Sequence, residues 1–402
     1  MVLSLFVGVL TARFLGPDNY GIINYGAAFV ALFSSLCTLG LNSVIIKDFV
    51  DNPDEQGKAI GSAILVRFFS SIASVLMIVG ISFLMDGDEP ITVLAVSLCS
   101  IGVIFQVFDT INYWFQAQYK SKITAIATLV AYVVMSAYKI LLLILGAEVY
   151  WFAVATALDY LVIAVFLLFA YKKYNGPKLS FSFVKAKGLL GNSYHYILSG
   201  MMVAIYGQTD KLMLKQMLSE TDVGYYTVAT ALCSMWVFVL SAIIDSMYPT
   251  ILNLYGNDRK AFEKKNRQLY AIVFYVSGFV SLAFLLFGGI AVRILYGEAY
   301  MPAAMPLKIV TWYTAFSYLG VARNAWIVSE GKQKYLKYMY VSAALLNVGL
   351  NLVFIPLWGT AGAAFASLIT QIATSILFPI CIKEMRPNAK LMIDAVLLKN
   401  IR

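Results

Sequence analysis

The chain has 402 residues, 61% of them hydrophobic and 13% charged, where a water-soluble domain averages roughly 45–50% apolar and about 25% charged. No soluble core hides such a surplus, and it comes in blocks of about 20 residues or more, the length that crosses roughly 30 Å of hydrocarbon as helix. The net charge of +9 follows the loops between these blocks, which argues against nucleic acid as a partner.

Short polar breaks divide the chain into twelve predicted membrane helices. The first half gives blocks over residues 1–15, 22–46, 59–85, 91–116, 123–145 and 149–171. The second half gives 189–218, 223–252, 269–294, 303–328, 335–356 and 360–382. The first block reaches only about 22 Å at 1.5 Å per residue, so residues upstream of Met1 are expected to complete it. The predicted organisation is an N-terminal six-helix lobe over 1–172, a cytoplasmic linker over 173–188, a C-terminal six-helix lobe over 189–383 and a cytoplasmic tail over 384–402.

Orientation follows from lysine and arginine placement. Alternate loops carry the basic residues, among them Lys47, Lys58, Lys120, Lys122, Lys172, Lys173, Lys185, Arg259, Lys264, Lys265, Lys332 and Lys334. The opposite loops and their borders hold Arg13, Lys215 and Arg293. The linker and the C-terminus are therefore expected in the cytoplasm.

The two halves repeat. Gly21 in ARFLGPDNYGIINYGAAFV pairs with Gly224 in LKQMLSETDVGYYTVATAL at an offset of 203, and the same offset pairs Asn42 with Asp245. Asn112, Trp114 and Lys120 fall on Asn324, Trp326 and Lys332 at an offset of 212, and GAEVYWFA echoes GTAGAAFA at 213. Six helices followed by six in the same orientation is a parallel repeat. Each copy marks a hairpin in which Gly16 and Pro17 stop one helix, Asp and Asn (or Ser219 and Thr221) cap the next, and Gly21 or Gly224 lets the chain turn.

Ionisable residues lie inside the apolar blocks: Arg67, Asp109, Lys139, Asp159, Asp210, Lys211, Asp245 and Arg323. Facing lipid, eight such groups would cost on the order of 20 kcal/mol. They are expected to face a water-filled interior or to pair, and helical spacing supports one wet face per helix, as in Gln106, Asp109, Asn112 and Gln116. Ordinary polar contacts between helices are the alternative reading. Counting depth along the blocks places Arg67 and Arg323 in the cytoplasmic third of opposite lobes, where planar guanidinium forks suit a phosphate. With Lys139, Lys211, Asn112 and Asn324 they form the expected cargo-binding set, and Asp109, Asp159, Asp210 and Asp245 are the candidates for carrying a coupling ion.

The four cysteines, 37, 99, 233 and 381, sit in apolar blocks without a CxxC, and the single histidine is His195. No disulfide, metal site or cofactor is expected. Walker A, GxSxG and HExxH patterns are absent from the sequence, and no long extramembrane stretch is present. An enzyme is not expected.

The segments ARFLGPDNYGIINYGAAFV, QTDKLMLKQMLSETDVGYYTVATAL and WGTAGAAFASLI resemble Wzx-type polysaccharide flippases. These form the polysaccharide transport branch of the multidrug/oligosaccharidyl-lipid/polysaccharide exporter superfamily. The resemblance implies an all-α, MATE-like membrane fold of about twelve helices, in two parallel six-helix lobes around a central cavity. It implies that undecaprenyl-diphosphate-linked oligosaccharide crosses the bacterial inner membrane for O-antigen, capsule or exopolysaccharide synthesis, driven by antiport of a proton or sodium ion. Membrane lipids, a polysaccharide polymerase and a chain-length regulator would be its partners. Of the site residues, the hairpin glycines and the Asp210 motif match the family pattern. A multidrug or small-molecule cation antiporter of the same superfamily would favour a cavity dominated by acids. A membrane-embedded oligosaccharide polymerase or ligase would need a long external loop.

Overall fold

The structure, a computed structural model, describes residues 2–399. Met1 and residues 400–402, the outer ends of the expected first lobe and tail, lie outside the described residues. Among the described residues the chain is helical, with no strand. By internal packing it divides into two units, Met1–Gln208 and Thr209–Arg402.

In the first unit, α1 (Val2–Thr38) runs through the first two expected crossings and bends sharply at Gly16, where φ is 72° and ψ 171°. A side chain there would be strained, so glycine followed by Pro17 makes the hairpin. A left-handed Gly40 leads into α2 (Leu41–Asp51). There follow α3 (Gln56–Asp86), α4 (Pro90–Phe105), a 3₁₀ turn at Gln106–Phe108, α5 (Asp109–Ala117), α6 (Ser121–Leu145), α7 (Val149–Lys173) and the first part of α8 (Phe183–Met217). Helix α4 lies against α1, α3 and α7. Small residues allow this, since a Cβ on Gly102 would come within 2.8 Å of Ala157 Cα. Close approach of this kind drives helix association where lipid removes the hydrophobic incentive.

The expected linker is part of this unit. Its backbone lies in a notch on α3, where a Cβ on Gly57 would meet Lys178 O at 2.3 Å and one on Gly61 would meet Ser180 O at 2.4 Å. Ser180 N donates to Gly57 O at 3.2 Å. Ser62 Oγ accepts from Ser182 N at 2.9 Å and donates to Ser182 O at 3.1 Å. Lys185 Nζ then pairs with Asp48 and Glu55, each at 3.0 Å. The division between units therefore falls after Gln208, inside α8, and not in the expected linker 173–188.

In the second unit α8 continues from Thr209, followed by α9 (Glu220–Ser234), α10 (Val237–Asn257) and α11 (Arg259–Tyr296). After a 3₁₀ turn at Glu298–Ala303 come α12 (Ala304–Ala322), α13 (Asn324–Ser329) and α14 (Leu336–Ile372), bent at Gly359 with φ 58° and ψ −134°. A π turn at Ala373–Leu377 leads to α15 (Phe378–Cys381), and α16 (Arg386–Val396) folds back on α11. Helix α12 packs against α9, α11 and α14.

Eight stretches among the described residues are long and apolar enough to cross a membrane. Two of them, Phe6–Thr38 and Gln333–Cys381, each contain two expected crossings. Helices α8 and α12, whose sequences carry more polar residues, complete the twelve. The hairpin is corrected in one respect. Gly21 and Gly224 lie buried inside their helices and do not make the turn. In the second copy Ser219 stands where Gly16 does in the first, and its hydroxyl accepts from Asp222 N to cap α9.

Candidate functional site

The second unit buries one carboxylate in a shell of neutral polar groups. Asp210, on α8, is 7% exposed. Asn351 Nδ2 donates to its Oδ1 at 2.7 Å. Tyr226 Oη and Ser367 Oγ both donate to its Oδ2, each at 2.5 Å. Asn351 Nδ2 also reaches Asn347 Oδ1 at 3.1 Å, and Asn347 Nδ2 donates to Ser367 Oγ at 3.1 Å. Four elements meet here: α8, α9 and both arms of α14 either side of Gly359. The four-residue spacing of Asn347 and Asn351 puts both amides on one face of α14.

The oxygens of this shell are hard donors. They are a carboxylate, two amide carbonyls and two hydroxyls, and Asn351 Oδ1 is buried without a hydrogen-bond partner. Among the described residues no three histidines, cysteines or acids cluster as metal ligands. One carboxylate among neutral oxygens suits a proton or a monovalent ion, since soft or highly charged metals call for thiolate, imidazole or several carboxylates. Lys211, beside Asp210, is half-buried and interacts with it electrostatically.

Asp245 lies elsewhere. It is exposed on α10, on one face with Ser246, Thr250 and Asn253. Facing acyl chains, a carboxylate there would cost about 2.5–3.5 kcal/mol.

The first unit shows a different arrangement. Arg67 is 1% exposed, and its guanidinium donates to Gln106 O at 2.7 Å, Thr110 Oγ1 at 2.9 Å and Val107 O at 3.4 Å. These carbonyls lie at the 3₁₀ break between α4 and α5, where the regular ladder is interrupted. Arg67 thus holds a helix break together, and the expectation of a cavity-facing guanidinium is corrected. Arg323 is 3% exposed and donates to Thr374 O at 2.9 Å, in the π turn that follows α14. It likewise satisfies a carbonyl at an irregular turn, so both arginines are buried within their units. Asp109, half-buried, lies within electrostatic range of Arg67, and Lys139 of Asp159. Tyr160 bonds to Gln106 and interacts with both acids. Among the described residues no salt bridge joins Arg67 to Asp109 or Lys139 to Asp159. Asn112 Oδ1 accepts from Gln116 at 3.1 Å, and Asn324 is exposed.

Of the expected ion carriers, Asp210 alone is enclosed in a built shell. Tyr226, Asn347, Asn351 and Ser367 were not singled out in the sequence. The signal was the asparagine pair in the apolar run AALLNVGLNLVF, since buried amides in hydrocarbon call for partners.

A twelve-helix membrane protein with a buried single-carboxylate shell is the class that fold and site define. The model of the polysaccharide biosynthesis protein family matches residues 10–305, and the chain belongs to that family. It is 20% identical over 387 residues to a Shigella flexneri protein named "Putative O-antigen transporter", covering 91% of this chain and 90% of that one. Its fold is similar to that of a solved structure described as the inward-facing conformation of a multidrug resistance MATE family transporter of the MOP superfamily, with TM-score 0.72, 16% identity and coverage of 98% of this chain and 95% of that one. It also matches the lipid II flippase MurJ in an inward closed conformation, with TM-score 0.71, 15% identity and coverage of 99% and 89%. The family resemblance read from the sequence is borne out.

Proposed function

We propose that this protein is a transporter that moves undecaprenyl-diphosphate-linked oligosaccharide across the bacterial cytoplasmic membrane, coupled to a monovalent cation or proton at Asp210. The cargo class rests on family membership and on the O-antigen transporter to which the chain is similar. The coupling rests on one observation: a buried carboxylate on α8 enclosed by amide and hydroxyl groups of α9 and α14. Alternating access between the two lobes moves the glycan through water while the lipid tail stays in the bilayer. The basic loops set the orientation, with the C-terminus in the cytoplasm. The exposed polar face of α10, with Asp245 and Asn253, offers donors and acceptors to a hydroxylated cargo.

Depletion in the native host tests this reading. Lipid-linked glycan is expected to accumulate on the cytoplasmic leaflet, scored by its resistance to a membrane-impermeant modifying enzyme in intact cells. Normal appearance of the glycan on the outer leaflet after depletion would refute it.

A further inference from the structure

Two hydroxyls in the shell compete for one oxygen. Tyr226 Oη and Ser367 Oγ both donate to Asp210 Oδ2, while Oδ1 is held by Asn351. A cation that settles on Oδ2, alkali ion or proton, takes the lone pairs these hydroxyls use and repels a hydrogen pointing at it. Ser367 has a second tie, because its oxygen already accepts from Asn347 Nδ2 at 3.1 Å. It can turn its own hydrogen aside and remain in the network. Tyr226 lies within hydrogen-bonding reach of Ser367 as well as of Asp210. Its phenol is 5% exposed, and a buried phenol without an acceptor is unfavourable. With Oδ2 occupied it must transfer to Ser367 Oγ, and its helix moves with it.

The helix that carries Tyr226 leads to the exposed polar face. Helix α9 continues into α10 through Met235 and Trp236, whose backbones remain in the right-handed helical region. Three turns further on, α10 exposes Asp245, Ser246, Thr250 and Asn253. We infer that Tyr226 is the positioning residue that converts cation occupancy at Asp210 into displacement of α9 and α10. This rests on the reading of Asp210 as the coupling site. The other ionisable groups around it are Lys211, adjacent to Asp210, and Tyr313 on α12, which interacts with Tyr226.

The test uses the full-length protein in liposomes. Sodium or lithium is titrated at constant pH, and pH is titrated at constant choline. Two readouts follow each titration: thermal stabilisation, and labelling of Ser246→Cys by a hydrophilic maleimide in a Cys381→Ser background. The parent protein is expected to respond in both. Tyr226→Phe removes the competing donor, so its cation midpoint should fall about tenfold, one charge-assisted hydrogen bond. Labelling at position 246 should no longer follow the cation. Whichever titration shifts identifies the cation. A folding defect would weaken binding, so the opposite sign separates the two. An unchanged midpoint, or labelling that still tracks the cation in Tyr226→Phe, overturns the inference while leaving Asp210 as the site. A cation response that survives in Asp210→Asn refutes the site itself, and the role of Tyr226 with it.

Discussion

The two lobes share a repeat and differ in chemistry. At an offset of 203, Asp210 and Tyr226 correspond to Val7 and Ile23. At 213, Asn347, Asn351 and Ser367 correspond to Val134, Tyr138 and Val154. Every donor to the carboxylate except one is replaced by an aliphatic side chain, and the carboxylate itself is gone. The first lobe instead strings Arg67, Asp109, Tyr160, Asp159 and Lys139 across α3, α5, α7 and α6. The repeat preserves helix order and the places of the hairpins, although the first turns at Gly16 and the second is capped by Ser219. It leaves each lobe free to place its polar groups, because any buried network only has to satisfy itself.

The largest expected effect breaks this comparison if it fails. Asp210→Asn should reduce polymer export about a hundredfold at matched protein levels, as loss of a charge–cation contact in a poorly solvated site predicts. Asp159→Asn in the first lobe should reduce it less than about threefold. Equal losses would erase the distinction between the lobes.

Next in size are the arginines. Arg67→Ala leaves three groups of a helix break without their donor and should destabilise the detergent-solubilised protein by about 3 kcal/mol or more in thermal unfolding. Arg323→Ala removes a single carbonyl bond and should cost about 1–2 kcal/mol. If export fell in either variant with unfolding unchanged, the arginines would belong to the cargo path after all.

The linker distinguishes the lobes more finely. Gly61→Val would force a side chain into Ser180 O, already 2.4 Å from a Cβ. Cleavage by trypsin after Lys178 should then accelerate about tenfold, as local opening becomes easier. Cleavage at the parental rate would show that the notch does not hold the linker.

The smallest effect is a pH dependence. Burial lowers the affinity of Lys185 for its proton, but hydrogen bonds and charge from Asp48 and Glu55 outweigh this and hold it above the ordinary lysine value. A raised folded-state value means the contribution is fully present below the unfolded value of about 10.4. It is lost as pH rises through the folded one. The partly exposed pairs are worth under about 1 kcal/mol. Lys185→Gln should flatten the alkaline limb of a pH–stability curve by that amount. An unaltered limb would remove the pairs from the linker's anchorage.

Several of these features were legible in residues alone. Gly16 and Pro17 announced the hairpin because so few residues tolerate that backbone, and Asp210 announced itself as a charge in hydrocarbon. The partners of Arg67 and Arg323 were not legible, because depth along an apolar block gives height but not direction. When a helix is apolar nearly all round, its sequence does not say which neighbour a lone guanidinium meets. The unit boundary inside α8 was hidden for a similar reason. The linker 173–188 has the composition of a free connector, and only the notch at Gly57 and Gly61 shows that it is held.

Composition, block length and basic-loop asymmetry by themselves determined a membrane protein of twelve crossings built as a parallel repeat, because hydrocarbon thickness and the cost of buried charge act on local sequence. Tertiary structure decided the partners of Asp210. Tyr226, Asn351 and Ser367 lie 16, 141 and 157 residues away from it, and packing of three helices brings them to one carboxylate that no local pattern specifies.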